Sequence, residues 1–204
     1  MIPVFIVGGF LLLTVVIVRL IARSTKKTYE NMKRLAVRLK LTVPEVKPVL
    51  GFYKTPDATG VIREKNVRVY TYTTSSGKNQ TTWSAVAVTP RATGGLTFCL
   101  SRQGLGTKLL EIFGQKETKV GDESFDKEWF IQTNAPDFMA IGLLPELQQK
   151  ISPFKGEWEL KKNEVIYTER GSFNDKERCE RWREAVDAAC DLADAAEVYA
   201  KHKQ

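Results

Sequence analysis

Residues 67–89 read VRVYTYTTSSGKNQTTWSAVAVT, and the period of this stretch decides the fold class. Val67, Val69 and Thr71 alternate with Arg68, Tyr70 and Tyr72. Successive side chains of a strand point to opposite faces, so the alternation predicts a half-buried strand. The polar SSGKN loop and a second strand, TTWSAVAVT, complete an antiparallel hairpin. On the N-terminal side, VLGFYKT, a turn at Pro56–Gly60, VIR and a tight Glu64–Asn66 connection extend the hairpin into a meander. On the C-terminal side, LTFCLSR follows Pro90 and Gly94–Gly95 as a further strand. About five strands in succession with short connections imply a mainly antiparallel sheet, because parallel neighbours need long crossovers.

The rest of the chain adds helices to this sheet. GTKLLEIFG is read as a short helix ending at Gly114, and KEWFIQT as a returning strand. Asn134 is expected to cap APDFMAIGL, and Pro145 to restart PELQQKI as the second half of a broken pair. GEWELKKNEVIYTER predicts a hairpin about Lys162–Asn163, with Trp158, Leu160, Val165 and Tyr167 facing inward. A last helix, capped by Asn174 with Glu177 and running to Ala200, puts Trp182, Ala185, Val186, Ala189, Leu192, Ala193, Ala196 and Tyr199 on one arc. Glu180, Glu184, Asp187 and Asp191 lie opposite. The expected class is α+β: an N-terminal transmembrane helix, then one domain with a mainly antiparallel sheet packed by helices, including a long Ala-rich C-terminal helix.

The N-terminus, MIPVFIVGGFLLLTVVIVRLIARSTKK, carries no charge before Arg19. As a helix, Ile2–Ala22 rises roughly 31 Å, about one hydrocarbon thickness. No basic region precedes the apolar run and Leu20 occupies a position that a cleavage site needs small, so the segment reads as an uncleaved signal-anchor. Eight bases follow against one acid, Glu30: Arg19, Arg23, Lys26, Lys27, Lys33, Arg34, Arg38 and Lys40. Their net charge equals the whole formal +7 of the chain, so the remaining residues are balanced. A one-sided positive flank predicts an outside N-terminus and a cytoplasmic C-terminal domain at the inner membrane, with these bases on anionic headgroups. Met32, Leu35, Ala36 and Leu39 recur at helical spacing. The organisation read from this is 1–23 as transmembrane anchor, 24–43 as basic juxtamembrane amphipathic helix and 44–204 as α+β domain, with Pro44 limiting the second helix. Met32, Leu35 and their neighbours can either face the membrane surface or pack on the domain.

Chemistry is sparse. The single histidine, His202, stands at the C-terminal end, which removes Ser-His-Asp and Cys-His mechanisms and His-rich metal sites. Three cysteines, Cys99, Cys179 and Cys190, form no C-x-x-C pair and suit a reducing compartment. In SSGKNQTT, Asn79 stands where a phosphate loop needs Ser or Thr, and the glycines of Gly104–Lys108 are read as a turn. The acidic stretch GDESFDKEWF supplies metal-ligating candidates Asp122, Glu123 and Asp126, with Glu128. Period two would put Asp122, Asp126 and Glu128 on a solvated strand face opposite Trp129. A balanced domain argues against nucleic acid, whose affinity comes mainly from phosphate contacts. No catalytic residue and no cofactor is assigned.

Gly121, Asp122, Phe125, Asp126, Pro136, Leu143, Leu144, Pro145 and Glu146, with Trp129 in a usual Phe position, resemble the G-D-x-x-F-D-x-x-F pattern of a group of uncharacterised bacterial membrane-anchored proteins. The resemblance implies a bacterial source and a recurring fold, and brings no catalytic residues. The function expected is a membrane-tethered, non-catalytic binding, scaffold or accessory-subunit domain, partnered by the bilayer and by another protein. A carboxylate-dependent divalent-metal enzyme and a pleckstrin-like lipid- or ligand-binding domain are the alternatives.

Overall fold

A computed structural model describes residues 2–103 and 117–203, with the side chains of residues 2–9 and of Leu11 outside that description. The helix expected at GTKLLEIFG and the glycines of Gly104–Lys108 lie outside the described residues. The elements in chain order are α1 (Ile2–Leu39), β1 (Ala58–Ile62), β2 (Lys65–Ser76), β3 (Asn79–Thr89), β4 (Phe98–Arg102), α2 (Glu123–Glu128), β5 (Trp129–Thr133), α3 (Pro136–Gly142), α4 (Pro145–Ile151), β6 (Glu157–Lys161), β7 (Glu164–Arg170) and α5 (Lys176–His202). The described strands form one sheet in the order β1-β2-β3-β7-β6-β4-β5, with every pair antiparallel. The fold is therefore α+β with a seven-stranded antiparallel sheet and a long C-terminal helix. Insertion of β7 and β6 between β3 and β4 departs from the simple meander that the pleckstrin-like alternative needs.

The alternation holds at the start of β2 and gives way in β3, where Ser84, Ala85, Val86, Ala87 and Val88 are all buried. Val67 and Val69 are buried while Arg68 is exposed, and Ser76 pairs with Asn79 around the turn. The meander starts later than expected. VLGFYKT is no strand: Val49 and Phe52 bond each other across a tight turn with Leu50 and Gly51 at positive φ. β1 instead begins at Ala58, inside the expected turn. The hairpin connection falls at Arg63–Glu64, both at positive φ, as a two-residue turn matched to strand twist requires.

α1 runs unbroken from its apolar leading half into its amphipathic trailing half and stops at Leu39, before Pro44. Lys40 adopts φ 57° and Leu41 N–H donates back to the Ala36 carbonyl at 2.8 Å, closing the helix by a left-handed cap. Met32, Leu35 and Ala36 are buried in the domain core, which decides between the two readings of that face. Asn31 Nδ2 donates to the Phe173 carbonyl at 2.9 Å and Arg38 pairs with Glu180. The trailing half of α1 therefore runs parallel to the start of α5.

α5 crosses β3 and β7 on its alanine face. Ala185, Ala189, Ala193 and Ala196 are all fully buried, so the helix backbone lies close to the sheet. Trp158, Leu160, Val165 and Tyr167 face inward as expected, and Phe154, Trp158, Tyr167, Trp182 and Phe173 form a continuous chain of rings with centroids 4.3–5.3 Å apart. Two cap assignments move by one residue or change role. Asp175, not Asn174, caps α5 by accepting from Arg178 N–H at 2.6 Å. Asn134 does not cap α3, whose first turn opens on Pro136; its amide donates to the Gly95 carbonyl and accepts from Thr97 N–H.

Replacing Ala189 with Leu is expected to push α5 off the sheet and cost roughly 1–3 kcal/mol, while Val37→Leu on the exposed side of α1 stays within about 0.5 kcal/mol. Denaturant unfolding followed by circular dichroism measures both.

Candidate membrane-facing surface and apolar groove

The described apolar side chains of the leading half of α1 stay outside the domain core. Phe10, Leu12, Leu13, Val15, Val16, Ile17, Val18, Leu20 and Ile21 are all exposed, Phe10 by 72% and Leu12 by 71%. At ~100° per residue these positions cover every side of the helix, so the surface is apolar all round rather than along one stripe. Thr14 hides its hydroxyl by donating to the Phe10 carbonyl at 2.8 Å. Among the described residues, no helix is long and apolar enough to cross a membrane. The transmembrane signal-anchor expected at 1–23 therefore finds no support among the described residues, where bases interrupt the apolar run from Arg19 onward.

All eight bases between Arg19 and Lys40 are exposed. Arg38 is paired to Glu180, and Lys33 stands over the Tyr29 ring at 5.4 Å. Arg19, Arg23, Lys26, Lys27, Arg34 and Lys40 form no ion pair among the described residues and present their charge to solvent. Tyr29 in turn stacks on Tyr53 at 5.1 Å, Tyr53 N–H donates to Thr25 Oγ1, and Gly51 comes close to Ala22, so the 43–57 loop lies along the helix as far as Ala22.

The acidic segment is helical, not a strand face. Its high density of acids near a turn fits a helix start, where the free N–H groups need acceptors. Asp122 caps α2 by accepting from Ser124 N–H and Phe125 N–H, both at 2.9 Å. Asp126 accepts from Val120 N–H at 3.0 Å and Gly121 N–H at 3.1 Å. Glu123 lies 3.6 Å from Lys127, and Glu128 pairs with Arg102, whose guanidinium also stacks on Trp129. Phe125 and Trp129 stack at 5.8 Å and anchor the turn in the core. Among the described residues, no group of three or more His, Cys, Asp or Glu side chains is arranged to hold a metal ion.

Sequence reasoning missed a groove of about 790 Å³ between α3, α4 and the outer side of α5. Phe138, Ile141, Leu144, Leu147 and Val198 line it, and Glu146, Asp191 and Asp194 stand at its rim. The signal for it was Val198 on the otherwise polar side of α5, together with Ile141 and Leu144 flanking the helix break.

The three thiols are free and buried. Burial pushes Cys179 and Cys190 up to about 11 and Cys99 further, so each stays protonated and a poor nucleophile. Cys99 sits 3.5 Å from Glu157, whose carboxyl is itself raised by burial.

No protein-family model matches the chain, and no curated protein matches it. Among solved structures, the crystal structure of the mycobacterial trehalose monomycolate transport factor A, TtfA, matches with a TM-score of 0.50 and 10% identity. The match covers 82% of this chain and 93% of that one. At this identity the likeness shows a shared fold.

Two outcomes follow from the acids. Asp122→Ala is expected to cost about 1 kcal/mol in denaturant unfolding, while calorimetry with magnesium, manganese or calcium gives no heat of binding. Glu157 holds its proton more tightly folded than unfolded, so stability is full below the ordinary carboxylate range and falls as pH rises through the raised value. Glu157→Gln is expected to flatten that fall in a pH series of thermal melts.

Proposed function

We propose that this chain is a membrane-tethered, non-catalytic accessory domain. The leading half of α1 lies in the bilayer with the N-terminus outside, and the α+β domain sits on the cytoplasmic face of a bacterial inner membrane. The observation that carries this reading is the all-round apolar exposure of Phe10–Ile21 on a helix whose trailing half is built into the core. Exposed apolar surface of this extent is costly in water and cheap in hydrocarbon. With the uncharged Ile2–Gly9 ahead of it, the apolar run has the length of one hydrocarbon core. The unpaired bases just beyond it suit anionic headgroups.

An accessory role is supported by a fold shared with a protein described as a transport factor. The resemblance to membrane-anchored bacterial proteins through Gly121–Trp129 agrees with it. A protein partner is the second occupant of this reading, and the α3–α4–α5 groove is the apolar surface open to it. That Asp122 and Asp126 accept from backbone amides favours the binding reading over the metal-enzyme alternative.

The full chain in native membranes is expected to resist alkaline carbonate, and protease added to intact spheroplasts to spare the domain. A chain beginning at Ser24 keeps Thr25, Tyr29 and the core face, and is expected to be released as a folded soluble protein. Extraction of the full chain by carbonate would overturn the anchor.

A further inference from the structure

We propose that the tip of the β2–β3 hairpin, Ser75–Gln80, rests against the anionic headgroups of the bilayer that α1 enters; this deepens the tether reading and rests on it. The hairpin outruns its sheet. Pairing of β1 with β2 ends at Val69 and pairing of β7 with β3 ends at Trp83, while β2 and β3 stay paired out to Ser76 and Asn79. The last pairs form a two-stranded ribbon about 13 Å long with no further strand beside it among the described residues. Such a ribbon is marginal alone. Its base is stiffened by Tyr72 stacked on Trp83 at 6.4 Å and by Trp83 Nε1 donating to Thr74 Oγ1 at 2.9 Å.

Two rulers share one origin. A Cβ on Gly60 would lie 3.4 Å from Leu41 Cα, and Gly60 pairs with Val67, so the foot of α1 and Val67 stand level. From Val67 to Ser76 a strand at ~3.3 Å per residue climbs about 30 Å. The same ~30 Å along α1, at ~1.5 Å per residue, takes about twenty residues and reaches back from Leu41 to Ile21. A contact part-way up ties the two rulers to within about 5 Å: Asn31, about 15 Å along α1, bonds Phe173, two residues beyond Gly171, whose N–H donates to the carbonyl of Thr82, paired with Thr73 about 20 Å up the hairpin. Both point the same way, because β7 leads into the turn from which α5 returns beside α1. The hairpin tip therefore stands at the height where the apolar run gives way to bases.

The chemistry of the tip fits that height. No acid occurs between Glu64 and Glu111, and Lys78 is the one charge in Tyr70–Ser84. Ser75, Ser76, Asn79 and Gln80 offer hydroxyls and amides and no apolar patch, which suits a headgroup layer better than hydrocarbon or an apolar protein groove. Gly77, at φ 60°, lets the turn close with Lys78 outward.

The test uses the full chain with Ser76→Cys labelled with the fluorophore NBD; the native thiols are buried, and unsubstituted protein labelled in parallel gives the background. A label at Lys201→Cys, on the far end of α5, is the control. Vesicles of three parts phosphatidylcholine to one part phosphatidylglycerol, with or without a nitroxide on the lipid headgroup, read contact, and flotation reads the tether. The expected result is flotation with at least twofold nitroxide quenching at residue 76 and none at 201. Lys78→Glu should cut the quenching by half or more and leave flotation unchanged. Flotation without quenching at 76, or with equal quenching at 201, overturns the hairpin contact and leaves the tether standing. Failure to float overturns both.

Discussion

Met32, Leu35 and Ala36 are buried in the core, and they belong to the same unbroken helix as Phe10 to Ile21. One helix thus serves two environments. Its trailing half has an apolar stripe filled by the domain, and the described apolar side chains of its leading half, from Phe10 to Ile21, are exposed on every side. The change happens between Arg23 and Thr28, without a glycine, a proline or a break in the backbone ladder. A helix built this way fixes the direction of its leading half relative to the core, because no linker separates the two. The left-handed cap at Lys40 and the Asn31–Phe173 bond hold it at two heights.

The far end of the domain is held by charge. Arg63 and Lys65, at the β1–β2 turn, meet Asp187, Asp191, Asp194 and Glu197 on α5, and Lys150 of α4 joins Asp187 and Asp191. The Lys65 side chain is only 5% exposed, so its two carboxylates compensate a charge that would be expensive to bury alone. These acids are the polar side of α5 that its periodicity reveals, and they are structural partners. The alanine face brings the helix down onto β3 and β7, and the acid face clasps the turn and α4 from above.

Much of this was legible in sequence because period carries it. Alternation at the start of β2, the inward set Trp158, Leu160, Val165 and Tyr167, and the arc of α5 all follow from side-chain geometry within one element. Errors fell where the outcome depends on partners distant in sequence. VLGFYKT has strand composition, yet it turns at Leu50–Gly51 and gives its loop to α1 through Tyr53. Asn134 has the composition of a cap and was claimed by Gly95 and Thr97 instead. The acidic run looked like an alternating face, and became a helix because Asp122 and Asp126 satisfy amides at a sharp turn. The groove of Phe138, Ile141 and Val198 was invisible because it joins elements from both ends of the last third of the chain.

Nitroxide accessibility along α1 tests the central claim most directly. Spin labels placed singly at Ile17, Lys27 and Val37 of the full chain in phosphatidylcholine–phosphatidylglycerol vesicles report oxygen against a water-soluble nickel complex. The account predicts lipid-like values at residue 17, with oxygen favoured, and water-like values at 27 and 37 on one continuous helical phase. Water-like values at residue 17, or loss of the helical phase between 17 and 37, would contradict it.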